Sequence, residues 1–179
     1  MISALEKLLQ AVTAAAMLLN KAYEKRAALE CIVLQANLID GVLRVGLILK
    51  QQLDTGSCAI DDLLLMQSDD DRAISERDIY RRALVAAVID QPLFDDLSSA
   101  YGVRNRCIHR YLLSTTTYDD AIELVYRLDK LLRRVNAAVE LLEEAQVQRG
   151  RGITVKGSAI GKDFLAMFAA QKEHPRNLK

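Results

Sequence analysis

EKRAALECIVLQANLIDGVLRVGLILKQQLD, residues 24 to 54, contains no proline, and Gly41 is the first glycine of the chain. Ala, Leu, Glu, Lys and Gln dominate here and upstream, and these side chains lose little freedom in a helix. The stretch therefore reads as one long helix, ending where Asp54, Thr55, Gly56 and Ser57 supply turn chemistry. Residues 2 to 21 read as a second long helix, with a poorly marked break between the two. The opening, MISALEKLLQAVTAAAMLLNKAYEKR, lacks the basic start of a signal peptide, and Glu6 and Lys7 interrupt it early. Its apolar run, Leu8 to Asn20, is too short to span a bilayer and suits a core helix. No membrane association and a cytoplasmic, reducing location are expected.

Downstream, a short helix is expected at 60 to 67, and the acidic run Asp69 to Asp71 reads as a solvated linker. Ser75 with Asp78 forms a capping box that opens an amphipathic helix to about Ile89, and Pro92 starts the next. That segment, PLFDDLSSAYG, is expected to end or kink near Gly102. Thr117 with Asp120 marks a further N-cap, followed by AIELVYRLDKLLRRVNAAVELLEEAQ with apolar residues at helical spacing to about Val147. About five helices without alternating strand patterns predict an all-α bundle over 1 to 148. Its apolar stripes are mainly internal core, with a face to spare for symmetric pairing.

The remaining residues, 149 to 179, read as a basic, Gly-containing extension with one short helix near 162 to 172. Seven Lys or Arg stand there against Asp163 and Glu173, so a local net of +5 balances −5 elsewhere in a chain of formal net charge zero. A general electrostatic footprint for nucleic acid is therefore missing, and RNA binding has to come from a local patch. The RGRG at 149 to 152 is one candidate contact. GSAIGKD at 157 to 163 fails as a phosphate loop, because its first glycine is one residue too close and Asp163 replaces the magnesium-holding hydroxyl. Cys31, Cys58 and Cys107 include no C-x-x-C, and only His109 and His174 are present to join them, so neither a zinc site nor a disulfide framework is expected. Asp61, Asp62 and Asp69 to Asp71 read as solvated carboxylates, and no metal or cofactor is expected.

The chemistry concentrates in RNRCIHRY, residues 104 to 111. Arg five residues before His is a weak signal alone; Asn directly after the Arg and Tyr two after the His make it specific. On a helix through 104 to 112, Arg104 and Tyr111 (i, i+7) share a stripe, as do Asn105 and His109 (i, i+4). The set spans less than half the circumference, with Arg106 and Arg110 on the other side. A break at Gly102 would also give the motif a fresh helix N-terminus facing a phosphate. Arg matches phosphate oxygens two at a time and stabilises a pentacoordinate phosphorus. An imidazole takes a proton from a ribose 2′-OH or gives one to a leaving 5′-oxygen near neutral pH. The 2′-OH already lies beside the phosphorus, so the reaction requires no metal-generated hydroxide. Asp40, mid-helix among Leu38, Ile39, Val42 and Leu43, is expected to pair with Arg44 or to reach the Arg104 and His109 cleft.

R-N-x-x-x-H-x-Y resembles the signature of the HEPN superfamily, and the Tyr two after the His resembles its toxins encoded beside minimal nucleotidyltransferase antitoxins. Eight residues carry the specific match. The resemblance implies an all-α HEPN-like bundle whose homodimer sets two motifs across a cleft and cuts RNA, leaving a 2′,3′-cyclic phosphate. It implies Arg104, His109 and Asn105 as the catalytic set and Tyr111 as a cleft residue that a nucleotidyltransferase antitoxin modifies with AMP; Asp40 and Arg106 are expected as supporting residues beside them. The context implied is a toxin-antitoxin or defence system. Two other readings stay open: a HEPN-like module that binds a nucleotide or protein and cuts nothing, and a helical transcriptional or assembly regulator in which 104 to 111 is structural.

Overall fold

Every residue from Gly41 to Leu49 is buried, so the helix that carries them has no solvent face over that stretch. A helix apolar all round must be enclosed by others. The computed structural model describes residues 4–65 and 74–150 and shows how this is done. Five α-helices form an all-α bundle: α1 (Ala4–Glu24), α2 (Ala28–Thr55), α3 (Glu76–Val85), α4 (Gln91–His109) and α5 (Tyr118–Gln148). Short 3-10 turns lie at Asp62–Leu64 and Tyr111–Leu113, and no strand occurs among the described residues. The acidic run Asp69 to Asp71 and the basic extension from Arg151 onward, with its expected helix, lie outside the described residues.

α2 is the axis. It is long and apolar enough to cross a membrane by length and composition alone, yet 78% of its most apolar window is buried inside the bundle. α5 covers it along its length and runs in the same direction: Gln35 Nε2 donates to the Val125 carbonyl at 3.0 Å, and Gln146 Nε2 donates to the Leu49 carbonyl at 3.3 Å. α1 returns antiparallel on another side. Glycine in a helix interior costs roughly 1 kcal/mol relative to alanine, and close approach explains both instances in α2. A Cβ at Gly41 would lie 2.9 Å from Val12 Cγ2 of α1; one at Gly46 would lie 2.8 Å from Val139 Cγ2 and from Val88 Cγ1.

The helix ends account for what the sequence marked well or badly. Thr117 and Asp120 form the full capping box of α5, Ser75 accepts from the Asp78 amide, and Asp90 caps α4 with Pro92 in its first turn. α1 stops at Arg26, which takes φ 55°, with the Ala27 amide donating to the Ala22 carbonyl. α3 stops the same way at Ala87, φ 54°, with Val88 donating to Ala83. Both are left-handed C-terminal stops of the kind glycine normally supplies. That is why the α1–α2 break was hard to see, and why α3 ends at Val85 rather than near Ile89. The expected helix at 60 to 67 shrinks to the 3-10 turn, where Asp61 caps the Leu63 amide.

Two substitutions of opposite sign test these assignments. Gly46→Ala should lower stability by about 1 to 2 kcal/mol, overpacking outweighing helix propensity, whereas Ala87→Gly should raise it by about 0.5 to 1 kcal/mol. Urea unfolding with unchanged slope is the check. A thiol reagent should count one cysteine, the exposed Cys58, in the folded protein, and three after denaturation; burial shields Cys107 and pushes the Cys31 thiol up to about 11.

Candidate functional site

α4 does not break at Gly102. The helix continues through it to His109, because this glycine is exposed, with no atom within 4 Å of where a Cβ would stand, while Ala100 and Cys107 on either side anchor the helix in the core. The motif therefore closes a helix instead of opening one. No fresh N-terminus faces a phosphate there; Arg106 and His109 occupy a last turn whose free carbonyls favour positive charge. Tyr111 falls beyond the helix, in the 3-10 turn, so its expected i, i+7 register with Arg104 is lost.

Helical geometry divides the remaining motif. Arg104 follows Leu93, Leu97 and Ala100 at helical spacing, which puts it on the stripe that α4 turns inward. His109, five residues later, is rotated by about 140° at 100° per residue and is exposed. Asn105 lies between them, half-buried, and Arg106 and Arg110 are exposed. No hydrogen bond or ion pair joins Asn105, His109 or Tyr111 to another side chain among the described residues. Immediately after this end of α4, Leu112 and Leu113 are 93% and 89% exposed.

Arg104 is engaged from several sides. Its Nη2 forms an ion pair with Glu76 at the start of α3, and its guanidinium lies 4.8 Å from the centre of the Tyr101 ring. Arg77 approaches the same ring at 5.8 Å. Glu76 also accepts from the hydroxyl of buried Tyr80. Burial lowers the pKa of Arg104 from its ordinary value and the Asp40 charge opposes that effect; burial followed by Asp40 and Tyr101 raises that of Tyr80. The ion pair, the hydroxyl bond and the ring contact bring Glu76, Tyr80, Tyr101 and Arg104 together where α3 meets α4, and Asp40 of α2 is close enough for its charge to act on Arg104 and Tyr80.

Asp40 takes the first of its two expected partners. Its carboxylate accepts from Arg44 Nε at 2.7 Å. Arg44 in turn donates to the Leu63 and Ile74 carbonyls at 3.3 and 3.5 Å, tying α2 to the chain before and after residues 66–73. The other Asp40 oxygen and Arg104 Nε are buried without a hydrogen-bond partner, an acceptor and a donor left open in the same region.

Glu76, Arg77, Tyr80 and Tyr101 were not singled out from the sequence. Tyr101 and Arg104, three apart on a helix, were a readable pair. Glu76 stands 28 positions from Arg104, and no spacing rule connects them. A groove of about 430 Å³, floored by Leu47, Leu64, Val85 and Ala86, involves none of the motif residues. No group of three or more His, Cys, Asp or Glu side chains among the described residues is placed to hold a metal ion. No protein-family model matches the chain, nor does any curated protein or solved structure.

The two ends of the motif should differ under substitution. Arg104→Ala leaves the half-buried Glu76 carboxylate without its cation and should cost about 1 to 3 kcal/mol, whereas exposed His109→Ala should leave the unfolding midpoint unchanged. Thermal and urea unfolding of the two variants, side by side, give the comparison.

Proposed function

We propose that this chain is a HEPN-like endoribonuclease that acts as a homodimer and cuts RNA without a metal ion, in the cytoplasm, as part of a toxin-antitoxin or defence system. One observation carries this reading: R-N-x-x-x-H-x-Y stands at an exposed helix end, with His109 solvent-facing and unbonded among the described residues, beside Asn105, Arg106 and Arg110. An imidazole so placed is available for proton transfer.

In the proposed reaction one His109 removes the proton from a ribose 2′-OH. The 2′-oxygen bonds to the adjacent phosphorus, and the bond from phosphorus to the 5′-oxygen breaks as a second imidazole protonates that oxygen. The products are a 2′,3′-cyclic phosphate and a 5′-OH. One imidazole cannot act as base and acid at the same instant, so the second comes from the partner copy. The exposed Leu112 and Leu113 next to His109 offer that copy apolar surface. Asn105 orients the imidazole or the phosphate, Arg106 adds positive charge, and Arg104 holds a backbone phosphate. Tyr111, one residue past the helix, is the proposed AMP acceptor for a nucleotidyltransferase antitoxin.

The second reading, a HEPN-like module that binds a nucleotide or a protein without cleavage, is favoured by a different observation: the Arg104 guanidinium is already bonded to Glu76. Incubating labelled single-stranded RNA in EDTA with wild type and with His109→Ala separates the two. Cleavage by wild type alone, giving cyclic-phosphate ends, is expected. No cleavage by either folded protein would transfer the assignment to the binding module.

A further inference from the structure

The guanidinium that would hold a phosphate already holds an oxyanion. Glu76 reaches across from the first turn of α3 to Arg104, and the Tyr80 hydroxyl steadies the carboxylate from below. Neither member of the ion pair is sealed in: the side chains of Arg104 and Glu76 remain 14% and 18% exposed, so solvent reaches this edge of the α3–α4 seam. Arg77 and Arg104 converge on the one Tyr101 ring, and Arg77 is exposed. Arg44 pairs with Asp40 and Arg104 with Glu76, so of these groups Arg77 at the Tyr101 ring is the one positive charge left over. Loss of the Glu76 charge would leave two. A carboxylate and a phosphodiester present the same pair of acceptor oxygens to an arginine fork.

We propose that Arg104 and Arg77, gathered on Tyr101, form a subsite for an RNA backbone phosphate, and that Glu76 occupies it as an internal stand-in which RNA must displace. The identity of the ligand rests on the RNA reading above. Arg104 and His109 are five residues apart, a rise of about 7.5 Å along the helix and a turn of about 140° around it, so the subsite and the imidazole do not share one face of α4. The subsite thus holds a backbone phosphate other than the one that is cut, and Glu76 sets how readily RNA is admitted. A purely structural Glu76, clipping α3 to α4, makes the opposite prediction: its loss would weaken RNA binding or leave it unchanged.

The test is binding of a fluorescein-labelled single-stranded RNA to the full chain in a His109→Ala background, where the probe stays intact, measured over a series of salt concentrations. Glu76→Gln should bind roughly tenfold tighter, with the logarithmic salt slope steeper by about 0.7, the value for one added phosphate contact on a single strand. The gain should disappear in Glu76→Gln/Arg104→Ala. Tyr80→Phe, which removes the hydroxyl steadying Glu76, should tighten binding by a smaller factor, and Arg77→Ala should weaken it. Unchanged or weaker binding by folded Glu76→Gln overturns the proposal, as does a gain that survives without Arg104. Should Glu76→Gln fail to fold, Tyr80→Phe decides, and unchanged affinity there overturns it too. Tighter binding without cleavage by wild type leaves this subsite standing and removes the nuclease reading. Cleavage by wild type with no gain in Glu76→Gln does the reverse, and absence of RNA binding by every variant removes both.

Discussion

Enclosing α2 is the constraint on which the rest of the bundle depends. From Gly41 to Leu49 each side chain is buried, so neighbours are required on all sides. α5 supplies one wall over most of the length and α1 another, while the short α3 and the longer α4 close the remainder. The two glycines of α2 stand where this enclosure is tightest, against Val12 and against Val88 with Val139. Their cost in helix propensity is offset by the contact that a missing Cβ permits. Two buried amide groups are tied down through their nitrogens: Gln35 Nε2 donates to the Tyr23 hydroxyl at 2.7 Å as well as to the Val125 carbonyl, and Gln146 Nε2 donates to both Leu49 and Gln52. Such bonds set the register of α5 on α2, because an unpaired amide there would cost more than the bond contributes.

Where the enclosure runs out, charge takes over. At the junction of α2, α3 and α4 the core stripe of α4 continues from Leu93, Leu97 and Ala100 into Arg104, a position that in an ordinary amphipathic helix would be apolar. A guanidinium on the inward face needs anions and a surface to lie against, and Glu76, the Asp40 charge and the Tyr101 ring provide them. The arrangement fastens α3 to α4 and, through Arg44, fastens α2 to the chain on both sides of residues 66–73. Arg104 of the motif is thus one of the charges that hold the seam, whereas exposed His109 stands apart from it.

Much of the candidate site was legible in RNRCIHRY. The motif lies on a helix at its exposed end, and Asn105 and His109 keep their i, i+4 relation. What escaped was the end of that helix. Gly102 looked like a break, but its missing Cβ faces open space and the flanking core contacts carry the helix through; Tyr111 looked like part of the stripe but lies past the stop at Arg110. Glu76 was invisible for a different reason. It is an acidic residue in a first helical turn, where acids are favoured locally, and nothing in its own neighbourhood points 28 residues onward.

The sequence alone determined the all-α class, the approximate helices and the N-terminal caps at Ser75 and Thr117, because helix propensity, 3.6-residue periodicity and capping pairs are local properties that neighbouring residues carry. Tertiary structure alone decided that α5 runs parallel to α2, that non-glycine Arg26 and Ala87 adopt left-handed stops, and that Arg104 turns inward to Glu76 while His109 turns out. These depend on which surfaces meet, and pairing energies between residues far apart in the chain exist only once packing has brought them together.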